Sequence, residues 1–316
     1  MREVADTARR WAAEGRTAVL ARPLTEKGFG PKRPEDALLV DEAGHCRGSL
    51  YRGAFDRQLV AEAAALVESG AGARVCEVAV HDDAVKEARL TCGGQAEILL
   101  QALHTVPARW WDLLAEGADA ALVTELDDDR TRAVSTVVVP GPPEGDDRAA
   151  EKARRLLARH RAGREAGPTD AGFVLIETCP AVLHLVVVGE GELAELLVAQ
   201  AHLLGWEATV TTAEQQVRDL LADRPAAACL IVLSHEPDLD VPALHTALGT
   251  GIPYVGALGS RHTQDRRAGA LLEAGLNEEQ LRRIHGPIGL DVGARTPAET
   301  ALAICAEVLT ALARPS

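Results

Sequence analysis

The chain has 316 residues, of which 47% are hydrophobic, 25% charged and only 3% aromatic, with a formal net charge of −14. That length accommodates two domains, whose cores must be built from Leu, Val, Ala and Ile. So acidic a chain is ill suited to nucleic acid or an anionic bilayer, and no apolar run approaches the roughly 20 residues that span a membrane.

Residues 1–126 read as one α/β domain. A helix is expected from about Arg2 to Glu14, closed by Gly15 in the left-handed position past a helix end. The opening segment MREVADTARRW carries no apolar signal core, which implies a cytoplasmic protein. TAVLARPL and ALLVDEAGHCRGSL follow as strands, and AFDRQLVAEAAALVESG has apolar residues at helical spacing before Gly70. ARVCEVAV, QAEILLQAL and ADAALVTEL supply further strands. A helix, PARWWDLLAEG, lies between the last two, with Pro107 at its first position, where a missing N–H costs nothing.

Residues 127–170 form a connector that runs from the acidic Asp127–Asp129 through TVVVPGPPEGDD to a basic helix, RAAEKARRLLARHRAGR. Its arginines read as a solvated helix face. From residue 171 to the end the pattern is strand–helix alternation. FVLIETCP leads in, then HLVVVG, WEATVT, AACLIVLS and IPYVGALG are strands, separated by ELAELLVAQAHLLG, EQQVRDLLAD and VPALHTAL as helices. Alternation of this length predicts a Rossmann-like, doubly wound parallel sheet. Asn277 with Gln280 forms one capping pair. Thr296-Pro297-Ala298-Glu299 forms a second and starts a last helix that runs to about Leu312.

Several loops could carry chemistry. Gly189-Glu190-Gly191-Glu192-Leu193-Ala194 matches G-x-G-x-x-G/A after a buried strand and at the start of a helix, the context a dinucleotide loop needs. Against that reading, Thr211 and Thr212 stand where an acid should hold the ribose hydroxyls, and Glu190 and Glu192 put negative charge beside any pyrophosphate. GFGPKRP, from Gly28 to Pro34, is a stiff loop that presents Lys32 and Arg33. TCGG places Cys92 beside Gly93 and Gly94, where a thiol could meet a soft metal centre or sulfur. Downstream, Gly256, Gly259, Gly286, Gly289 and Gly293 accompany Arg261 and Arg295, a pattern suited to an anionic small molecule.

His235 and His285 follow apolar runs and read as hydrogen-bonded loop histidines. The six cysteines (46, 76, 92, 179, 229 and 305) contain no CxxC pair, so neither a zinc site nor a disulfide framework is implied. With no Ser/His/Asp set, paired-carboxylate motif or HExxH, no catalytic or metal-ligating residue is assigned.

Several of these segments together resemble the XdhC/CoxI family, maturation factors for xanthine dehydrogenase and related molybdenum hydroxylases. The resemblance spans nearly the whole chain and is strongest in YVGALGSR at 254–261 and IHGPIGLDVGARTPAE at 284–299. It continues in ETCPAVLHLVVVGEGELAELL and in TCGGQAEILLQ.

The resemblance implies a factor that binds molybdenum cofactor (molybdopterin), holds it while a terminal sulfur is installed, and delivers it to an apo-hydroxylase. It also implies a cofactor crevice formed by both domains, a homodimer, and a cysteine desulfurase as a further partner. Carried over residue by residue, Cys92, Gly93 and Gly94 match the family's CGG, Gly259, Ser260 and Arg261 its GSR, and Gly189 and Gly191 its first Rossmann glycines. Gly28, Pro31 and Lys32 match a glycine, a proline and a basic position of its first loop.

Departures accompany the matches. Where the family reads GSVSGGCVE, this chain has GSLYRGAFD, so Ala54 replaces the cysteine and Gly53 is what remains of the glycine pair. Glu192 replaces a histidine, Phe29 a serine and Glu35 a glycine. The expected role is therefore a cofactor chaperone more than an enzyme. An NAD(P)-dependent oxidoreductase and a divergent non-catalytic scaffold of the same family are the alternatives.

Overall fold

The computed structural model describes residues 1–29, 33–80, 93–142, 147–160 and 162–313. The chain divides into two units, Met1–Pro180 and Ala181–Ser316. The sequence-expected site residues Pro31, Lys32 and Cys92 lie outside the described residues.

The first unit is built on antiparallel pairing. Strands β1 (Ala18–Gly28), β2 (Leu38–Asp41), β3 (Cys46–Gly48), β4 (Ala73–Val80) and β5 (Gly94–Ala102) form a sheet in the order β3-β2-β1-β5-β4. Period-two alternation along β1 sends Ala18 and Leu20 to one face and Val19 and Ala21 to the other. On the first face lie helices α1 (Arg2–Ala13) and α3 (Ala108–Ala115), which contribute Val4, Ala8, Trp11, Trp110 and Trp111. On the second lies α2 (Asp56–Ser69), which contributes Leu59, Ala63 and Leu66. Pro107 is the residue just before α3 rather than its first turn, one place from the expected start.

A second antiparallel sheet in this unit has the order β7-β6-β9-β8: β6 is Ala120–Leu126, β7 Ala133–Val138, β8 Gly163–Thr169 and β9 Gly172–Cys179. The segment read as a connector thus holds β7, β8 and helix α4 (Arg148–Leu157). The basic side of α4 coexists with a buried one, Ala150, Ala153 and Leu157, packed on Ala121, Val123 and Ile176. Asp147 caps the helix by accepting from the N–H of Ala149 at 2.9 Å and of Ala150 at 3.0 Å. FVLIETC, read as the lead into the alternating region, is β9 and pairs antiparallel with β6 and β8. A short apolar run does not encode whether its neighbours run with it or against it.

The two sheets of this unit are joined by Leu24, Leu99, Leu126 and Leu175. A buried polar set also joins them: Arg22 of β1 donates to Glu177 of β9 and to Gln101 of β5, and Arg164 Nε donates to the other oxygen of Glu177 at 3.1 Å.

The second unit is the expected doubly wound fold. Its strands β10 (His184–Val188), β11 (Glu207–Thr211), β12 (Ala228–Val232), β13 (Tyr254–Ala257) and β14 (Ile284–His285) are all parallel, in the order β11-β10-β12-β13-β14. Burial on both faces explains why HLVVV and ACLIV are continuous apolar runs. Leu185, Val187, Cys229 and Ile231 face helices α5 (Glu192–Leu203) and α10 (Pro297–Ala313). Val186, Val188, Leu230 and Val232 face α6 (Glu214–Asp223), α7 (Pro237–Gly249) and Leu271 of α8 (Arg261–Glu273).

Both expected capping pairs form. Asn277 and Gln280 close a reciprocal box on α9 (Glu278–Leu281), and Glu299 N–H donates to Thr296 Oγ1 at 3.2 Å while Glu299 Oε2 accepts from the N–H of Thr296 at 3.0 Å. Among the described residues no helix is long and apolar enough to cross a membrane.

Candidate functional site

In an open parallel sheet, ligands gather at the carboxyl ends of the strands, where successive connections leave in opposite directions. In the second unit that switch point lies between β10 and β12. The loops that follow these strands are tied together by backbone: Val188 C=O accepts from the N–H of Leu233 at 2.8 Å and of Ser234 at 3.2 Å. Gly189, at φ +121, lies so close beneath this loop that an added Cβ would sit 2.9 Å from the Ser234 nitrogen. Glycine is demanded there by the neighbouring loop. Gly191, at φ +106, begins α5 and has open space where its Cβ would be.

Two helices begin at this edge with opposite electrostatics. The first turn of α5 carries Glu192 and Glu195, and Glu190 precedes it, so fixed negative charge meets the positive end of the helix dipole. The first turn of α8 has no acid; its cap is Ser260, which accepts from the N–H of Thr263 at 3.3 Å, and exposed Arg261 and His262 follow. The start of α8 therefore keeps the positive end of its helix dipole without a first-turn acid to offset it. At the end of β11, Thr211 is turned inward: its hydroxyl donates to Gln216 Oε1 at 2.6 Å and accepts from the N–H of Ala213 at 3.1 Å. No carboxylate stands there for ribose hydroxyls.

Sequence reasoning missed the residue that organises this edge. Arg267, buried on the inner side of α8, forms an ion pair with Asp240 of α7, its Nε 2.8 Å from Oδ2. It also donates to the carbonyls of Ser234 and Leu258, in the loops after β12 and β13. Gly259, at φ +135, lies against it, an added Cβ falling 3.3 Å from Arg267 Nη1. The available signal was an arginine four residues before Leu271 in the stretch RHTQDRRAGALLE, which by itself reads as surface.

Gly256 and Gly286 serve packing. A Cβ on Gly256 would meet Ile288 at 2.5 Å, and one on Gly286 would meet the Gln264 amide at 2.8 Å. Gly289 N–H donates to Glu307 at 2.9 Å, and the same carboxylate accepts the Tyr254 hydroxyl. His285 stacks on Tyr254 with ring centroids 4.7 Å apart and is 3.6 Å from Glu307. Its partners suit a structural histidine. His235 is exposed in the loop after β12, and Arg295 is exposed before α10.

In the first unit the structure brings Gly28, Gly93 and Gly94 together, while Gly53 faces Asp56. Gly28 and Gly94 are register partners in β1 and β5, and Phe29 N–H donates to Gly93 C=O at 3.0 Å. A Cβ on Gly28 would lie 2.5 Å from that carbonyl, and one on Gly94 would lie 2.8 Å from the Phe29 ring. Phe29 packs on Tyr51 with centroids 4.3 Å apart, and Phe55 stands edge-on to Tyr51 at 5.6 Å. Phe29, Tyr51 and Arg52 are held at φ +63, +51 and +56, a backbone region that costs side-chain-bearing residues about 1–3 kcal/mol each. The Tyr51 hydroxyl donates to Glu26 at 2.7 Å; burial first, and this bond second, push its pKa well up. Arg33 is exposed. A Cβ at Gly28 or Gly94 is excluded by neighbouring backbone and, at Gly94, also by the Phe29 ring.

Molybdopterin has an anionic phosphate end and a soft metal–sulfur end, and the two can be tried separately. The amides of α8 with Arg261 fit the anionic end. For the other end, burial raises the thiols of Cys76 and Cys305 to about 11 and those of Cys179 and Cys229 to about 12. Cys46 is the exposed thiol among the described residues, on edge strand β3, and it too is raised by burial and by Asp56 and Asp41. No group of three His, Cys, Asp or Glu among the described residues could hold a metal. The described residues thus fit the anionic end alone.

Comparison with known proteins gives the chemistry a context. Residues 185–308 match the family described as the XdhC Rossmann domain. The uncharacterized protein YqeB of Escherichia coli K12 is 28% identical over 170 residues, which cover 47% of this chain and 31% of YqeB. The molybdenum cofactor insertion chaperone PaoD of the same organism is 35% identical over 79 residues, 25% of each protein. The chain thus spans about a third or less of the length of the curated relatives it matches. A Bacillus halodurans crystal structure described as a xanthine dehydrogenase has a TM-score of 0.58 at 18% identity, covering 98% of this chain and 95% of that one. At that identity the likeness concerns the fold.

Proposed function

We propose that this chain, a member of the XdhC family through its Rossmann unit, binds molybdenum cofactor and delivers it to an apo-hydroxylase of the xanthine dehydrogenase or CO dehydrogenase type. The observation that carries the reading is the acid-free start of α8, Ser260 and Arg261, at the ligand edge of a domain matched to that family. Similarity to a cofactor insertion chaperone over 79 residues supports it. The proposal extends to sulfuration of the cofactor while it is held, with a cysteine desulfurase as donor, to a homodimer, and to the cytoplasm as the place of action.

When bound, the cofactor supplies the molybdenum–sulfur centre. This chain's residues bind and orient its anionic end: the α8 amides and Arg261 hold the phosphate, and Ser260 keeps the helix start in place. Gly93, Gly94, Gly28 and Gly53, with Arg33 and the loop residues Pro31, Lys32 and Cys92, are proposed as cofactor-binding residues of the first unit, and Gly189, Gly191 and Gly259 as cofactor-binding residues of the second, each set taken by itself.

The test is to purify the protein from a host that makes the cofactor and to measure pterin fluorescence after oxidation. About one pterin per chain is expected, falling at least tenfold in Arg261→Ala. Protein free of pterin from such a host overturns the reading.

The positive φ of Gly189 and Gly191 keeps one alternative, an NAD(P)-dependent oxidoreductase. Calorimetric titration with both dinucleotides separates it, and a binding heat competed by neither pterin nor phosphate favours it. The packed aromatic cluster and Ala54 favour the other alternative, a scaffold without cofactor chemistry, which predicts full association with a hydroxylase by a pterin-free protein.

A further inference from the structure

We infer that Arg267 is a positioning residue that sets the spacing of the two ligand-edge loops, those after β12 and β13, through a buried partnership with Asp240. The inference rests on the reading of this edge as the cofactor site. Arg267 and Asp240 have side chains only 5% and 2% exposed, so neither can be solvated if the other is removed. A guanidinium has five N–H donors in a fixed plane, and here they are divided among three structural elements. Nε and Nη2 point to Asp240 Oδ2 on α7, Nη2 also donates to Ser234 C=O at 2.7 Å, and Nη1 donates to Leu258 C=O.

Asp240 is fixed in turn. Its Oδ1 accepts from the Ser234 hydroxyl at 2.6 Å, and that hydroxyl oxygen accepts from the N–H of Glu236 at 3.1 Å. The loop after β12 is therefore held at a carbonyl, a hydroxyl and an amide, all through one ion pair. The loop after β13 is held at Leu258, and Gln264 adds a bond from Nε2 to Ala257 C=O at 2.9 Å. Gly259, Ser260 and Arg261 come directly after this anchor.

A plain packing role would ask only that the space be filled. Here the donors end on loop carbonyls next to the residues proposed to hold the ligand, so the geometry of the loops depends on the guanidinium itself. Lysine offers one nitrogen and cannot reach both carbonyls and the carboxylate in plane.

The decisive variant is the full-length double substitution Arg267→Met with Asp240→Leu, which removes both buried charges together, leaves no unpaired charge, and releases the loop carbonyls of Ser234 and Leu258 and the Ser234 hydroxyl. Three quantities are measured on it: thermal midpoint, amide hydrogen exchange across 233–236 and 258–261, and pterin retained from a cofactor-producing host. The expected result is a midpoint within a few degrees of wild type, exchange in both loops at least tenfold faster, and pterin retention at least tenfold lower. Wild-type exchange in the two loops overturns the inference, as does faster exchange with pterin retention unchanged. If the wild type itself retains no pterin, the functional reading fails and exchange alone decides the positioning role. Should the double variant not fold, Arg267→Lys is read in the same way, with exchange faster in the Leu258 loop expected and wild-type exchange in both loops overturning the inference.

Discussion

Single residues in this protein take their meaning from what surrounds them, and the histidines make the point. His184 opens β10 and its Nε2 is 2.9 Å from Thr209 Oγ1. Burial pushes its pKa down, Arg224 adds to this, and Glu207 and Asp223 oppose it. The folded state therefore takes up this proton at lower pH than the unfolded chain, whose imidazole titrates near 6.5. The stability contributed by neutral His184 is complete above that value and is lost as pH falls through it toward the folded pKa. His184→Gln, which keeps a hydrogen-bonding group, should shrink the difference between urea midpoints at pH 7.5 and 5.5. With His184 only partly buried, the effect should be well below about 1 kcal/mol. An unchanged difference would exclude His184 as a contributor. Nothing in AVLHLVVVG flagged His184, because the cause of its shift is its surroundings.

Among the elements, those with a local cause were legible and those with a distant cause were not. Caps are local: Thr296 with Glu299 and Asn277 with Gln280 meet within three residues, and both form as expected. Helix α8 was not recognisable, because its buried positions are Leu271 and the charged Arg267. An arginine on the inner side erases the apolar stripe by which a helix is read.

The glycines divide along the same line. Gly70 follows α2 at φ +67 with nothing within 4 Å of an added Cβ, so alanine there pays only for the left-handed backbone, about 1–2 kcal/mol. Gly28 has φ +84 and in addition a carbonyl 2.5 Å from any Cβ, because β5 crosses at that point. Gly28→Ala should cost about 2–5 kcal/mol, the backbone term plus overpacking. Denaturant melts of the two variants provide the check, and equal losses would mean that the β1–β5 approach is looser than described.

At the scale of the molecule, the parallel sheet of the second unit carries a core on each face, built from residues 183 to 312. That self-sufficiency predicts that a fragment from Ala181 to Ser316 folds alone. It should show one cooperative thermal transition and dispersed amide resonances; a non-cooperative, dye-binding state would contradict this. The first unit is read differently. Its two sheets are joined by Arg22, Glu177 and Arg164, side chains that meet across as many as 155 positions of sequence. What reads in the sequence as a connector supplies two of the four strands in one of those sheets.

By itself the sequence determined the doubly wound second unit, its strands, its capped helices and its resemblance to XdhC proteins, because alternation, capping and glycine-rich turns are set within a few residues. The tertiary structure decided which glycines face open space and which are pressed by a neighbouring strand. It also decided that Arg267 bonds to the loops after β12 and β13, and that Phe29 packs on Tyr51. Those outcomes depend on contacts between residues far apart along the chain, and spacing along the chain does not specify which distant atoms will meet.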